Sequence, residues 1–152
     1  MIEIYGVLGS IMPIGLETYS DPASKQVMAL VIRSRFEGEK YNFITPPESP
    51  LQVGVNFYES GDRIQPHAHL PRNTVVRSTQ EFIWIKKGVV LLQLYNESQT
   101  QVHDVRLSKD DCVLLISGGH GFHVLEGAEF VEVKQGPFSK EQDKIRFEPR
   151  ES

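Results

Sequence analysis

A lone cysteine, Cys112, leaves nothing to pair with inside the 152-residue chain. Set in the apolar run CVLLI, it reads as a buried thiol of a reducing cytoplasm, present for packing more than for chemistry. Long hydrophobic runs are missing as well: no eighteen consecutive residues are apolar, so no segment reads as a membrane span. The opening stretch, MIEIYGVLGSIMPIG, carries Glu3 where a secretory signal carries positive charge and lacks a small-residue cleavage site. It is read as the first strand of the mature fold, and the protein is expected in the cytoplasm. Cations are neither abundant nor clustered: 16 Lys and Arg stand against 20 Asp and Glu, for a net charge of −4. Displacing phosphate counterions takes a basic stripe, so nucleic acid is not an expected partner, and neither is a membrane. Internal repeats and low-complexity stretches are absent.

What the chain does have is a series of short stretches rich in Val, Ile, Phe and Tyr, divided by Gly, Pro, Asn, Asp and Ser. They predict strands at 2–7, 26–36, 40–45, 52–59, 63–69, 76–86, 89–96, 101–107, 112–117, 120–126 and 129–135. The segment DPASKQVMALVIRSRF (21–36) has a helix signal, with Asp21 as a cap and Pro22 at the first helical position. Val27, Val31 and Ile32 are β-branched and the run is apolar on every side, so it is read as a buried strand. Turn signals at KKG (86–88), NES (96–98), SKDD (108–111) and EGAE (126–129) separate the later strands, the last as a hairpin would. Many strands, little helix and one composition regime imply an all-β sandwich or small barrel in a single domain able to bury a core. The polar end, SKEQDKIRFEPRES, is expected to drape over the body or fray.

Chemistry concentrates in QPHAHLPRNTVVRSTQE (65–81). On a strand His67 and His69 share a face, and two neutral imidazoles can meet one cation of Zn, Fe, Mn, Ni or Cu. The plain alternative is two surface histidines and an unrelated carboxylate, Glu81. Further on, DDCVLLISGGHGFHVLEG (110–127) contains His120 and His123. Alternation puts His120, Phe122 and Val124 on one face and Gly121, His123 and Leu125 on the other, so both histidines cannot reach one ion from a regular strand.

Taken together, GDRIQPHAH (61–69) and EFIWIKKG (81–88) resemble the first sequence motif of the cupin superfamily. Gly61 stands six residues before His67, and Glu81 seven before Gly88. The departure is the gap between His69 and Glu81, where eleven residues, LPRNTVVRSTQ, replace the family's much shorter connection. A longer loop is physically easy, since closure costs only about half a kcal/mol per doubling of length. The resemblance implies a single-domain cupin-type jelly-roll barrel of about ten short antiparallel strands, with its core over 52–135, additional N-terminal strands in 1–51 and a polar tail at 136–152. It also implies a divalent transition metal (Zn, Fe, Mn or Ni) held by His67, His69, Glu81 and a second-motif histidine. SGGHGF offers His120 for that place, with His123 as the alternative; the family's proline is absent, Ser117 or Gly118 standing near its position. The stretch from VMALVIRSRF through EVKQGPF and EQDKIRF further resembles small bacterial cupin-like proteins, some encoded among genes for surface polysaccharide or sugar-nucleotide synthesis.

Pocket candidates follow more loosely. Gln65 shares the face of the two histidines. Arg72 and Arg77, in the inserted loop, suit a carboxylate or phosphate, though the plainer reading of each is a solvated loop charge. Phe122 accompanies His120, and Glu132 and Lys134 alternate with Val131 and Val133, so that they either face water or line a partly polar interior. His103 is read as an exposed strand residue. Three functions remain open: a metal-dependent isomerase or dioxygenase acting on a small polar metabolite, a small-molecule binding module, and a metal-free sugar isomerase or epimerase with a histidine base. The expected partners are a small-molecule ligand and a second copy, paired through the apolar N-terminal strand IYGVLGSIM (4–12).

Overall fold

The structure, a computed structural model, describes residues 2–3, 13–139 and 143–151. Among them there is no helix, and nine strands follow in order: β1 (Ile2–Glu3), β2 (Leu16–Ser20), β3 (Val27–Ile32), β4 (Tyr41–Phe43), β5 (Gly54–Asn56), β6 (Glu81–Tyr95), β7 (Gln101–Ser108), β8 (Cys112–Leu115) and β9 (Gly119–Lys134). No helix of the described residues is long and apolar enough to cross a membrane. The chain divides into two compact units, Met1–Ile14 with Glu37–Arg77 and Gly15–Phe36 with Ser78–Ser152. The N-terminal strand expected to pair two copies, 4–12, lies outside the described residues.

The first unit carries a small sheet in which β4 lies between a parallel β1 and an antiparallel β5. Buried Asn42 ties it together, its Nδ2 donating to the carbonyls of Glu39 and Val55 and its Oδ1 accepting from Glu39 N–H. The expected strand at 63–69 does not form: residues 57–79 have no ladder and are exposed throughout. Pro66 and Pro71 explain this, because neither can donate to a neighbouring strand.

The second unit is a curled antiparallel sheet, a half-barrel, in the order β2-β3-β8-β6-β7, with β9 pairing along β6. The helix signal at 21–36 resolves as the buried strand expected. Asp21 instead caps a turn, accepting from Ala23 N–H and Ser24 Oγ–H, and β3, paired between β2 and β8, shows no alternation: Met28 through Ile32 are all buried, so both of its faces are covered. Met28, Val31, Ile83, Ile85, Leu92 and Val113 belong to one buried core cluster.

Two expected turns prove to be one corner. KKG at 86–88 and EGAE at 126–129 do not end their strands; β6 runs 15 residues and β9 runs 16, paired to each other from end to end. Register shifts fall at Ile85/Lys87, Lys87/Val89 and Val89/Val90, so the two turn signals meet as bulges on facing strands and bend the ribbon. Gly88 sits in the bend at φ +82°, a left-handed conformation that suits glycine.

The C-terminal segment drapes over this unit. Arg150 N–H donates to Gln99 O at 3.0 Å and forms a bridge with Thr100, while Phe147 packs edge-on against Tyr95, ring centroids 5.4 Å apart. His103 departs from the exposed position expected of it. It is half-buried, with Nε2 2.7 Å from Ser20 O and its ring against Tyr19 at 5.4 Å.

Candidate functional site

Because the β6–β9 ribbon folds on itself at the Gly88 corner, its two ends meet. Glu81, Ile83, Phe130, Glu132 and Lys134 come from one end, His120 and Phe122 from the other, and the β8–β9 connection at 116–118 lies beside them. Phe122 and Phe130, eight positions apart on β9, face each other at 5.7 Å. These residues line a cavity of about 360 Å³ on the concave face. Gly118, at φ +75°, makes the tight connection possible: a Cβ there would lie 2.5 Å from Tyr95 O.

At the centre, His120 Nε2 lies 3.1 Å from Glu81 Oε2. Glu81 is the more buried, its side chain 14% exposed against 35% for His120. The hydrogen bond from His120 pulls the Glu81 carboxyl down to about 2 despite the opposing cost of burial, with a further hydrogen bond from Glu132 in the same direction. Glu132 moves the other way, raised chiefly by sharing that bond with Glu81 and then by burial, with Lys134 opposing. Lys134 Nζ lies 3.6 Å from Glu132 Oε1 and 2.9 Å from Asp143 Oδ2. The arrangement is an imidazole against a carboxylate, with a second carboxyl beside it inclined to keep its proton.

The linkage between the glutamates and pH has opposite signs. Glu81, depressed, contributes stability present above the ordinary carboxylate value and lost as pH falls towards 2. Glu132, raised, contributes stability present at low pH and lost as pH rises through its elevated value. In chelator, Glu132→Gln is therefore expected to remove a fall in Tm between pH 4 and 8 that the wild type shows. The difference is held to roughly a few degrees because the Glu132 side chain is 42% exposed. A pH series of thermal melts checks it, and parallel curves for the two proteins would be the contrary result.

Of the residues singled out in the sequence, Glu81, His120, Phe122, Glu132 and Lys134 share this cavity. His123 pairs with Leu91 on the opposite side of β9 from His120 and is exposed. Of the two orientations open to Glu132 and Lys134, the structure takes the inward one: Val131 is 45% exposed and Val133 50%, and the charges line the concavity. His67 and His69 lie on the exposed loop of the first unit, rings 5.3 Å apart, with His67 Nδ1 2.9 Å from Gln65 O. Gln65, Arg72 and Arg77 are exposed on the same loop. The four expected metal donors thus fall into two pairs, one in each unit. Within neither unit, among the described residues, do three or more His, Cys, Asp or Glu side chains form a group able to hold a metal ion. Asp143, Lys144 and Phe130 also line the cavity and were not singled out. Phe130 was legible, since it shares its strand face with Glu132 and Lys134; nothing in the polar tail signals Asp143 or Lys144.

No protein-family model, curated protein or solved structure matches the chain.

Proposed function

We propose that this chain is a cupin-like enzyme that moves a proton on a small polar metabolite, an isomerase or epimerase, in the cavity of its second unit. The contact of His120 with Glu81, 3.1 Å at the wall of that cavity, carries the reading. A carboxylate that accepts from an imidazole fixes its orientation and stabilises the charge it gains on taking a proton. His120 removes the proton from a carbon next to a carbonyl, and the electron pair moves onto the carbonyl oxygen. Glu132, whose proton is held more tightly than usual, stands across the pair to donate to that oxygen. Return of that proton to the former carbonyl carbon, as the adjacent hydroxyl passes its proton to the Glu132 carboxylate, completes an isomerisation. Return to the other face of the original carbon, with the enol proton handed back to Glu132, completes an epimerisation. A cupin-type jelly roll is the fold proposed for the curled sheet, supported by the motif residues 81–88 and 117–122 falling on its ribbon and connection.

Solvent-deuterium exchange tests this. Keto-sugars and 2-keto acids, incubated with the protein in D₂O and followed by NMR, are expected to take up deuterium. Exchange should fall at least about 100-fold in His120→Asn, in keeping with loss of a positioned base. No exchange with any compound, with or without added divalent metal, overturns the reading.

A metal-assisted form is favoured by the histidine pair. His67 Nδ1 is engaged by the Gln65 carbonyl, which leaves Nε2 as the lone-pair nitrogen, the way ligating imidazoles are held. A bound Zn, Mn, Fe or Ni ion would supply a Lewis acid for the carbonyl, or with Fe a centre for oxygen chemistry. Metal analysis of protein purified without chelator separates the forms. Stoichiometric metal lost in His67→Ala assigns an ion to the histidine pair, and loss in Glu81→Gln one to the cavity, whereas metal-free protein with full exchange activity leaves His120 and Glu81 acting without one.

A further inference from the structure

The cavity has a wall that belongs to no strand. Asp143 and Lys144 line it, and the next residues, Lys144 to Pro149, form one side of a second, more open groove of about 850 Å³. The two cavities share Gly118, His120, Phe122 and Lys144, so the segment 143–149 runs along both, with His120 at their junction. We infer that 143–150 is a strap that narrows the way to the site, whose lifting widens a ligand's access to the partly exposed His120; this rests on the reading of the cavity as a small-molecule site.

The strap is fastened at few points. At its start Asp143 meets Lys134 at 2.9 Å. In its middle Phe147 lies against Tyr95 and over Gly119, so close that a Cβ on that glycine would come within 2.7 Å of the phenyl ring. At its end Arg150 has one main-chain hydrogen bond to Gln99 and the bridge to Thr100. Between these ties Ile145 is 87% exposed and adds nothing to the core. Among the described residues the segment is held by one ion pair, a 3.5 Å hydrogen bond from Ser139 N–H to Asp143 Oδ1, one aromatic contact, and a main-chain hydrogen bond with its bridge, so it opens far more cheaply than the sheet beneath it. Lys134 gives the strap its link to the chemistry, because the ammonium that holds Asp143 also lies 3.6 Å from Glu132. Lifting the strap takes away the cation's other partner.

Two measurements on the full chain test this without a substrate. Limited trypsin digestion, read by mass spectrometry, follows cleavage after Lys144 and Arg146; diethyl pyrocarbonate labelling follows the reactivity of His120, with exposed His123 as internal reference. Phe147→Ala and, separately, Asp143→Asn are expected to raise both strap cleavage and the His120-to-His123 labelling ratio, each by about three- to tenfold. Cleavage after Lys109, in the β7–β8 turn, should stay at the wild-type rate and shows that the fold is intact. Faster strap cleavage with unchanged His120 labelling would mean that the segment does not narrow the way to the site. Unchanged cleavage in both variants would mean that the proposed fasteners do not hold it. Neither readout depends on catalysis, so failure of the enzymatic proposal and failure of the strap are seen separately.

Discussion

Asp111→Ala is expected to cost the second unit about 3 to 5 kcal/mol, the range for removing one partner from a buried, hydrogen-bonded ion pair. The Asp111 carboxylate accepts from Ser34 N–H at 2.9 Å and Ser108 N–H at 3.0 Å, and meets Arg33 Nη1 at 3.1 Å. Arg33 in turn grips Glu17 with two nitrogens, at 2.8 and 2.6 Å, and donates to Arg106 O at 2.7 Å. One guanidinium thereby joins β2, the end of β3 and the β7–β8 turn, and burial makes each loss expensive. Asp111 is 6% exposed, so alanine leaves two backbone donors without an acceptor where water enters poorly. Urea denaturation followed by Trp84, the only tryptophan and a β6 residue, reports this unit directly. Lys86→Ala is the comparison. Its pair with Glu129 is shorter, at 2.6 Å, but both side chains are about half exposed, and the loss should be far smaller than that of Asp111→Ala. Equal losses in the two variants would show that burial does not set the energy of these pairs.

That network was invisible in the sequence, and the reason is general to this fold. Arg33, Glu17 and Asp111 are brought together by pairing of β3 with β2 and β8, and no local spacing announces a contact between residues so far apart in the chain. Local patterns did announce strand content: VMALVI overrode a reasonable helix start because β-branched residues outweighed the cap, and Asp21 found a turn to cap instead. Boundaries failed where one signal has two meanings. A glycine flanked by charges, as in KKG, marks a hairpin turn or a bulged corner in a continuous strand, and only the facing EGAE, bending at the same level, decides for the corner. At 63–69 the pattern suggested a strand that Pro66 within it and Pro71 just beyond it oppose.

The site was legible to a similar depth. Alternation along GHGFH assigned His120 and Phe122 to one face, and they do share the cavity. Resemblance to a motif named Glu81, which geometry independently puts against His120. Glu132 and Lys134 were left between water and interior because the rule that valines turn inward assumes a dry core. Here the inner face of the ribbon ends carries the charges, and Val131 and Val133 turn out. Asp143 escaped notice because it reaches the site through the path of an irregular segment, for which sequence has no periodicity to read.

Gly88→Ala should do damage comparable to loss of Asp111, through geometry in place of charge. At φ +82° any side chain is strained, and a Cβ would collide with the Gly127 carbonyl and stand 2.8 Å from Ala128 Cα on the facing strand. Left-handed strain and a backbone clash together predict a loss of about 3 kcal/mol or more. Two other glycines separate the contributions. Gly61→Ala meets nothing within 4 Å but shares the left-handed conformation, at φ +96°, and should lose about 1 kcal/mol. Gly127→Ala, with open space and no positive φ, should be close to neutral. Gly88 also bears on the chemistry, since the corner is what returns Glu81 to His120 over the length of a folded ribbon. Molecules of Gly88→Ala that still fold should have a straighter ribbon and a looser contact between the two. NMR of the His120 ring should then show its Nε2–H hydrogen bond to Glu81 weakened or lost. If Gly88→Ala matched Gly127→Ala in stability and that hydrogen bond were unchanged, the bend would not be what assembles the site.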